Sequence, residues 1–157
     1  MSKSHFKGFL KASTELILVI FQFTIIILHF IQWEFLTKRE ITQVNYVYSF
    51  LGFSIIIIAS FFMLMAIKEL GRNLTPFPKP KAKGILIKTG IYSFMRHPMY
   101  YSLILISFGF FIIKLSFYYL SLTISLIVII KFKIILEEQY LKQKFEKYIL
   151  YKKKVQY

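Results

Sequence analysis

Apolar runs long enough to cross a lipid bilayer constrain this chain more than any other feature. The segment 47–67 has no charged residue over its whole length, and a helix needs about 20 predominantly apolar residues to span the hydrocarbon core. Residues 99–136 form a second run, interrupted by Lys114, Lys131 and Lys133. A single helix of that length would measure about 57 Å, nearly twice the thickness of the core, so this run must fold back.

We predict an all-α integral membrane protein with one membrane domain over residues 1–157. Its four transmembrane helices are predicted at 16–33, 47–67, 99–113 and 117–136. The turn between the last two is expected near 114–116. Residues 68–98 form a predicted cytoplasmic loop, because all four prolines lie in this segment and prolines break helices. Residues 137–157 alternate apolar and basic side chains at helical spacing, which predicts an amphipathic helix on the cytoplasmic membrane surface.

The distribution of basic residues predicts how the chain is oriented. The net charge is +14, and the successive segments outside the predicted spans, with Lys131 and Lys133 counted in the last, hold 3, 2, 7, 1 and 8 Lys and Arg residues. Because basic residues accumulate on the cytoplasmic side of membrane proteins, this alternation predicts a multi-pass protein with both termini in the cytoplasm. Topology and attraction to the lipid bilayer then explain the charge, and nucleic acid is not an expected partner.

Other residue types exclude several kinds of site. The chain has no cysteine, which excludes disulfide bonds, thiolate metal sites and a cysteine nucleophile. The three histidines, His5, His29 and His97, are too far apart for a metal-ligand motif, and no metal is predicted. His29 falls within the first predicted span, where we expect it to be hydrogen-bonded to another helix. No small-residue cleavage site follows Ile31, so we expect an uncleaved first span.

Arg96-His97-Pro98 is the first cluster that could carry chemistry. Proline favours the first turn of a helix and pushes the residue before it out of helical geometry, so Pro98 is predicted to open the third span with His97 at its amino-terminal cap. Free backbone N–H groups at such a position favour an anion, for example the carboxylate of an amino-acid moiety. The alternative is an arginine that extends from the membrane edge into water beside an interfacial histidine.

Glu137 and Glu138 form the second cluster, at the end of the last apolar run. The chain has only seven acidic residues, and none is an aspartate. The functional interpretation is a pair of carboxylates that bind a cationic ligand or the hydroxyl or amine groups of a ligand. The alternative is a pair of salt bridges to Lys133, Lys142 or Arg96 with little energetic effect.

Together the two clusters resemble the isoprenylcysteine carboxyl methyltransferase family, which shares part of its pattern with membrane phospholipid methyltransferases. The pattern consists of Thr89-Gly90-Ile91-Tyr92, Arg96-His97-Pro98-x-Tyr100, a helical hairpin, Glu137-Glu138, Leu141, Phe145, Tyr148, Tyr151 and Val155. This resemblance implies a membrane enzyme that uses S-adenosylmethionine. Its acceptor would be lipid-like or prenylated and enter from the bilayer, with O-methylation of a carboxylate at the cytoplasmic face as the expected reaction.

The same resemblance implies roles for individual residues. The implied catalytic residues are Arg96 and Glu138. The implied residues of the cofactor site are Tyr92, His97, Tyr100, Glu137, Glu138, Tyr148 and Tyr151. Lys133 stands where an arginine often occurs in the family. Two other functions stay open from the sequence, a non-enzymatic membrane protein and an NADPH-dependent reductase of sterol-like lipids, and the oligomeric state is not indicated.

Overall fold

The structure is a computed structural model that describes residues 3–31 and 46–155, with side chains from Lys11 onward. The α-helices are α1 (Lys3–Leu28), α2 (Tyr46–Leu70), α3 (Pro98–Lys114), α4 (Phe117–Lys144) and α5 (Tyr148–Lys154). Two short 3₁₀ helices, Gly71–Asn73 and Gly90–Ser93, lie between α2 and α3. The described residues contain no β-strand, which confirms the all-α prediction.

Some sequence predictions concern residues that the structure does not describe. The predicted end of the first span at Trp33 lies outside the described residues. The same holds for the basic residues Lys38 and Arg39 of the first loop, and for the last two residues of the predicted amphipathic helix.

Within the described ranges, three helices are long and apolar enough to cross a membrane. These segments are Lys11–Leu28, Tyr46–Asn73 and Phe117–Lys144. They support the prediction of an integral membrane protein. The helix α3 is also apolar but has 17 residues, which makes it about 26 Å long against a core of about 30 Å. The arrangement of four spans and the cytoplasmic position of both termini therefore remain predictions.

The helices α2 and α3 pack closely through small residues. The buried residues of α2 are Gly52, Ala59 and Ala66, which recur every seven positions and so form one stripe along the helix. A Cβ atom added at Gly52 would lie 2.7 Å from the carbonyl oxygen of Gly109 in α3. A Cβ atom at Gly109 would lie 2.9 Å from the carbonyl oxygen of Gly52. Small residues let helix backbones approach in this way inside a membrane.

The helix α4 packs against α3 and against α1. A buried apolar cluster lies at this junction and contains Ile25, Leu122, Leu126 and Ile130. His29, which directly follows the last residue of α1, adds polar contacts. Its Nε2 is 2.8 Å from the hydroxyl oxygen of Ser107, which in turn is 2.8 Å from that of Thr123. The predicted hydrogen bond from His29 to another helix is confirmed, although His29 lies just after the end of α1.

The turn expected near 114–116 lies where α3 ends and α4 begins. Leu115 adopts a left-handed backbone conformation with φ of 44°. The hydroxyl of Ser116 then accepts a hydrogen bond from the backbone N–H of Tyr118 and caps α4. The left-handed position is taken by a leucine, which is rare, so no glycine marks the turn in the sequence.

The C-terminal segment differs from the single helix predicted over 137–157. The helix α4 continues without a break from Phe117 to Lys144, so Glu137 and Glu138 lie within it. The chain bends at 145–147, and α5 follows as a separate short helix. The bend contains neither glycine nor proline, so the sequence carried no signal for it.

The close approach of α2 and α3 predicts that Gly52→Ala destabilises the protein. The added methyl group would meet the backbone of α3, which cannot move aside as a flexible side chain can. We expect a loss of about 1–3 kcal/mol, measured as a lower midpoint of thermal unfolding by circular dichroism in detergent. Leu105→Phe adds volume at an exposed position of α3 and should leave the midpoint unchanged. An unchanged midpoint for Gly52→Ala would contradict the close packing.

Candidate functional site

A cleft opens between the proline-rich segment after α2, the start of α3 and the ends of α4 and α5. Its volume is about 850 Å³, which includes the part that is open to solvent. Apolar side chains form part of its wall, and these are Leu70, Phe77, Pro78, Pro80, Ile85, Leu86, Ile87, Met99, Leu141 and Phe145. Most of the remaining wall is formed by polar, charged and aromatic residues, including Arg96, His97 and Glu137. Binding sites for small molecules commonly combine an apolar wall with a few convergent polar groups.

His97 is placed at the centre of this arrangement by the start of α3. It is the amino-terminal cap residue of α3, and Pro98 occupies the first turn, which confirms the prediction from the sequence. The buried imidazole stacks on the ring of Tyr100 with a centroid distance of 5.7 Å. Its Nδ1 lies 4.0 Å from Oε2 of Glu137, and its Nε2 lies 3.5 Å from Oε1 of Glu138. Within the described residues Nε2 has no hydrogen-bond partner.

Glu138 is held in an ion-pair network behind the cleft. Its Oε1 accepts from Nε of Arg96 at 3.0 Å and lies 3.0 Å from Nη2, while its Oε2 accepts from Lys152. The side chains of Arg96 and Glu138 are only 12% and 10% exposed. Arg96 also donates through Nη1 to the backbone carbonyl of Val155. The network therefore fixes the start of α3, the end of α4 and α5 relative to one another.

Glu137 has a different environment from its neighbour. Its side chain lines the cleft and is 28% exposed. Successive residues of an α-helix point about 100° apart, so Glu138 can turn towards Arg96 and Lys152 while Glu137 turns towards the cleft. A salt bridge between Glu138 and Arg96 was one of the pairs that the sequence offered as an alternative to ligand binding. In the structure this salt bridge is largely buried. The two adjacent carboxylates are thus not equivalent.

Two tyrosines of α5, Tyr148 and Tyr151, form the wall of the cleft on the side of that helix. Tyr148 is fully buried, and its hydroxyl has no hydrogen-bond partner among the described residues. Burial, with the Glu138 carboxylate nearby, raises the pKa of Tyr148. The Tyr151 hydroxyl donates to the backbone carbonyl of Tyr92 at 2.6 Å, and burial raises the pKa of Tyr151 to about 12 although Arg96 opposes the shift. Burial, followed by the charge of Glu137, also raises the pKa of Tyr92. All three phenols are therefore protonated at neutral pH and can donate hydrogen bonds.

Lys133 is a buried residue next to the site, and its contacts were not predicted from the sequence. Its side chain is 1% exposed. Its ammonium group donates to the side-chain oxygen of Gln22 in α1 and, at 2.8 Å, to the carbonyl oxygen of Pro76. It also lies 5.5 Å from the ring centroid of Tyr100. Lys133 thereby links α1, α4 and the proline-rich segment. The only feature of the sequence that could have placed Lys133 near the site is its position one helical turn before Glu137.

The structure brings all the predicted site residues into one region. Those that line the cleft are Tyr92, Arg96, His97, Tyr100, Glu137, Tyr148 and Tyr151. Glu138 contacts Arg96 and Lys152 next to the cleft. Among the described residues no group of three histidine or acidic side chains could hold a metal ion. The catalytic and cofactor-binding roles of the individual residues remain predictions.

Comparison with known proteins relates the chain to one family. The family model for phospholipid methyltransferases matches residues 47–148, which is more than half of the chain. The chain therefore belongs to the phospholipid methyltransferase family. This finding confirms the resemblance to integral membrane methyltransferases. No curated protein and no solved structure matches the chain.

The ion-pair network predicts that Glu138→Gln loosens α5. The substitution leaves Arg96 and Lys152 without their shared carboxylate, and breaking a buried ion pair costs about 3–5 kcal/mol. We expect faster hydrogen–deuterium exchange in residues 148–155 of Glu138→Gln. Glu146→Gln removes the same charge from an exposed position in the preceding bend and should leave this exchange unchanged. Equal exchange in the two variants would mean that the network does not hold α5.

The contacts of Lys133 predict that Lys133→Met loosens the proline-rich segment. The carbonyl of Pro76 and the amide oxygen of Gln22 would lose a buried donor, at a cost of about 1–3 kcal/mol. We expect a lower midpoint of thermal unfolding and faster trypsin cleavage after the exposed Lys81. Lys131→Met changes an exposed lysine of the same helix and is the matched control. If both variants behave alike, Lys133 does not anchor this segment.

Proposed function

We propose that this member of the phospholipid methyltransferase family transfers a methyl group from S-adenosylmethionine to a lipid-like acceptor at the cytoplasmic membrane face. The observation that carries the proposal is the cleft itself. It lies at the ends of membrane-type helices and contains two buried polar atoms, Nε2 of His97 and the hydroxyl of Tyr148, that lack partners among the described residues. Buried polar atoms without partners are rare in folded proteins, and both of these atoms belong to side chains that line the cleft.

The side chains present fit the chemical groups of S-adenosylmethionine. The cofactor carries an amino-acid moiety, a sulfonium, ribose hydroxyls and an adenine ring. Glu137 offers a carboxylate for a cationic or hydroxyl group, and Nε2 of His97 and the phenol of Tyr148 offer hydrogen bonds. The apolar wall around Pro78 and Leu86 suits the adenine ring. When bound, the cofactor supplies an electrophilic methyl group on a positively charged sulfur.

Most of the protein's contribution would be positioning. Holding two reactants together in the required geometry can contribute up to about 7–11 kcal/mol to catalysis. Arg96 lines the cleft and is orientated by Glu138 and by the carbonyl of Val155. The family resemblance implied a catalytic role for Glu138, but its contacts with Arg96 and Lys152 favour a positioning role instead. His97 is orientated in turn by stacking on Tyr100.

The family and the position of the cleft indicate which class of acceptor the protein methylates. The family description favours a phospholipid as acceptor, and the first turn of α3, with Met99 and Tyr100 on the cleft wall, lies next to the apolar helices. O-methylation of a carboxylate, the reaction expected from the sequence, needs no general base. An amine acceptor must first lose a proton, and Glu137 is a carboxylate on the cleft wall that could accept it.

The positive-inside rule supports a cytoplasmic position of the cleft. Basic residues surround the cleft at the ends of α2 and α4 and in the segment between α2 and α3. Such residues favour the cytoplasmic side. With α1, α2, α3 and α4 as four spans, both termini would also lie there.

Cofactor binding to the protein in nanodiscs, measured by calorimetry, tests the proposal. Tyr148→Phe removes a buried hydroxyl that has no partner among the described residues, so folding should not suffer. We expect the Kd for S-adenosylmethionine to rise about 3- to 10-fold, the effect of one lost hydrogen bond. Tyr101→Phe removes an exposed hydroxyl from α3 and should bind as the wild type does. Glu137→Gln and His97→Ala should weaken binding further.

The outcomes of this experiment separate the three candidate functions. Binding that weakens in the cleft variants but not in Tyr101→Phe supports a methyltransferase. A folded wild type that binds NADPH and not S-adenosylmethionine would favour the sterol-type reductase. A folded wild type that binds neither would favour a non-enzymatic membrane protein and overturn the proposal.

A further inference from the structure

A second groove lies outside the cleft, between the 3₁₀ helix Gly90–Ser93 and α5. Three lysines line it, one from the segment before the 3₁₀ helix and two from α5 and the residue before it. These are Lys88, Lys147 and Lys154. The hydroxyl-bearing Ser93 and the apolar Leu150 complete the exposed part of its wall. Its described lining contains no acidic residue.

The charges of this groove are not compensated by its own wall. Three lysines that line a common groove repel one another, and an anion placed between them relieves that repulsion. Glu146 lines a neighbouring groove together with Lys88, Lys144 and Lys147, but the described ion pairs do not join it to any of these lysines. Phosphate is the matching anion on a membrane surface, because several lysines can each contribute a point charge to it.

Apolar side chains next to the lysines indicate that the anion belongs to a lipid. Leu150 lines the groove and is 70% exposed. Phe94, which directly follows Ser93 of the groove wall, is 79% exposed. Both lie outside the segments that qualify as membrane spans. Lys147, Leu150 and Lys154 follow helical spacing and therefore lie on one face of α5. An apolar residue between lysines on one helix face is typical of helices at the boundary of headgroups and acyl chains.

We propose that this groove binds the headgroup phosphate of an anionic phospholipid, with Leu150 and Phe94 against its acyl chains. This site lies outside the cleft and does not depend on the proposed methyl transfer. The lipid would act as a bound partner of the protein and not as the methyl acceptor.

The groove and the cleft share part of their walls, so a lipid bound in the groove would affect the position of α5 at the cleft. Tyr151 and Val155 line the floor of the groove. Tyr151 donates to the carbonyl of Tyr92, and the carbonyl of Val155 accepts from Arg96. A headgroup held by Lys147 and Lys154 would therefore press α5 against the cleft, and loss of the lipid would free α5 to move.

Lipid retention by the protein tests the site. Wild-type protein is reconstituted in nanodiscs of phosphatidylcholine with phosphatidylglycerol, and the lipids retained after release into detergent are counted by native mass spectrometry. The groove variant combines Lys88→Gln, Lys147→Gln and Lys154→Gln. We expect its preference for phosphatidylglycerol to fall roughly 100-fold, because each lysine near a membrane surface contributes about fivefold.

A charge-matched control separates a built site from general attraction. It combines Lys68→Gln, Lys142→Gln and Lys153→Gln, which remove three exposed lysines that do not line the groove. This control should lose much less of the preference for phosphatidylglycerol than the groove variant, because its three lysines do not surround one headgroup. An equal loss in both triple variants would overturn the proposal, since the attraction would then follow net charge alone.

Two further measurements test whether the bound phosphate belongs to a lipid or is free in solution. Leu150→Gln keeps every charge and should weaken retention of phosphatidylglycerol several-fold, because the acyl chains lose an apolar contact. Inorganic phosphate added at millimolar concentration should not displace the lipid. Displacement by phosphate together with an unaffected Leu150→Gln would mean a site for free anions and would overturn the lipid assignment. Slower hydrogen–deuterium exchange of α5 in the wild type with phosphatidylglycerol, and not in the groove variant, would support the link to the cleft.

Discussion

The buried contact between Arg96 and Glu138 is the interaction on which the rest of the site depends. Removing two charges from water costs several kcal/mol per ion, and only a full set of partners offsets this cost. Arg96 finds its partners in Glu138 and the carbonyl of Val155, and Glu138 adds Lys152. These partners come from the start of α3, from α4 and from α5. The wall of the cleft is therefore complete only when the three elements are docked together.

The sequence predicted the main parts of this arrangement because polar residues stand out in an apolar chain. Arg96-His97-Pro98 and Glu137-Glu138 were recognisable as clusters, and Pro98 correctly marked the start of α3. The partners of Lys133 were not recognisable, because Gln22 and Pro76 lie 111 and 57 positions away and carry no distinctive motif. The bend after Lys144 was also missed, since tertiary packing of Tyr148 and Tyr151 decides it and not local helix-breaking residues.

The different roles of Glu137 and Glu138 likewise come from tertiary structure. Both residues are equivalent in sequence, and the resemblance assigned both to one ligand. In the fold, one carboxylate is occupied by two cations while the other lines the cleft. A helix that continues through both residues is what separates them, because it fixes the angle between their side chains. The helix boundary predicted before Glu137 therefore hid the distinction between a positioning residue and one that faces a ligand.

The unpartnered atoms of His97 and Tyr148 stand out because the polar groups around them have hydrogen-bond or ion-pair partners. A buried polar group without a partner costs about 1–3 kcal/mol, and the neighbouring Arg96, Glu138 and Tyr151 all have partners. Sequences that fold well avoid such losses except where function requires them. The two residues with unpartnered atoms, His97 and Tyr148, both line the cleft, where we propose that a polar ligand binds. In a small membrane protein, helix ends fixed by one ion-pair network can provide such a site.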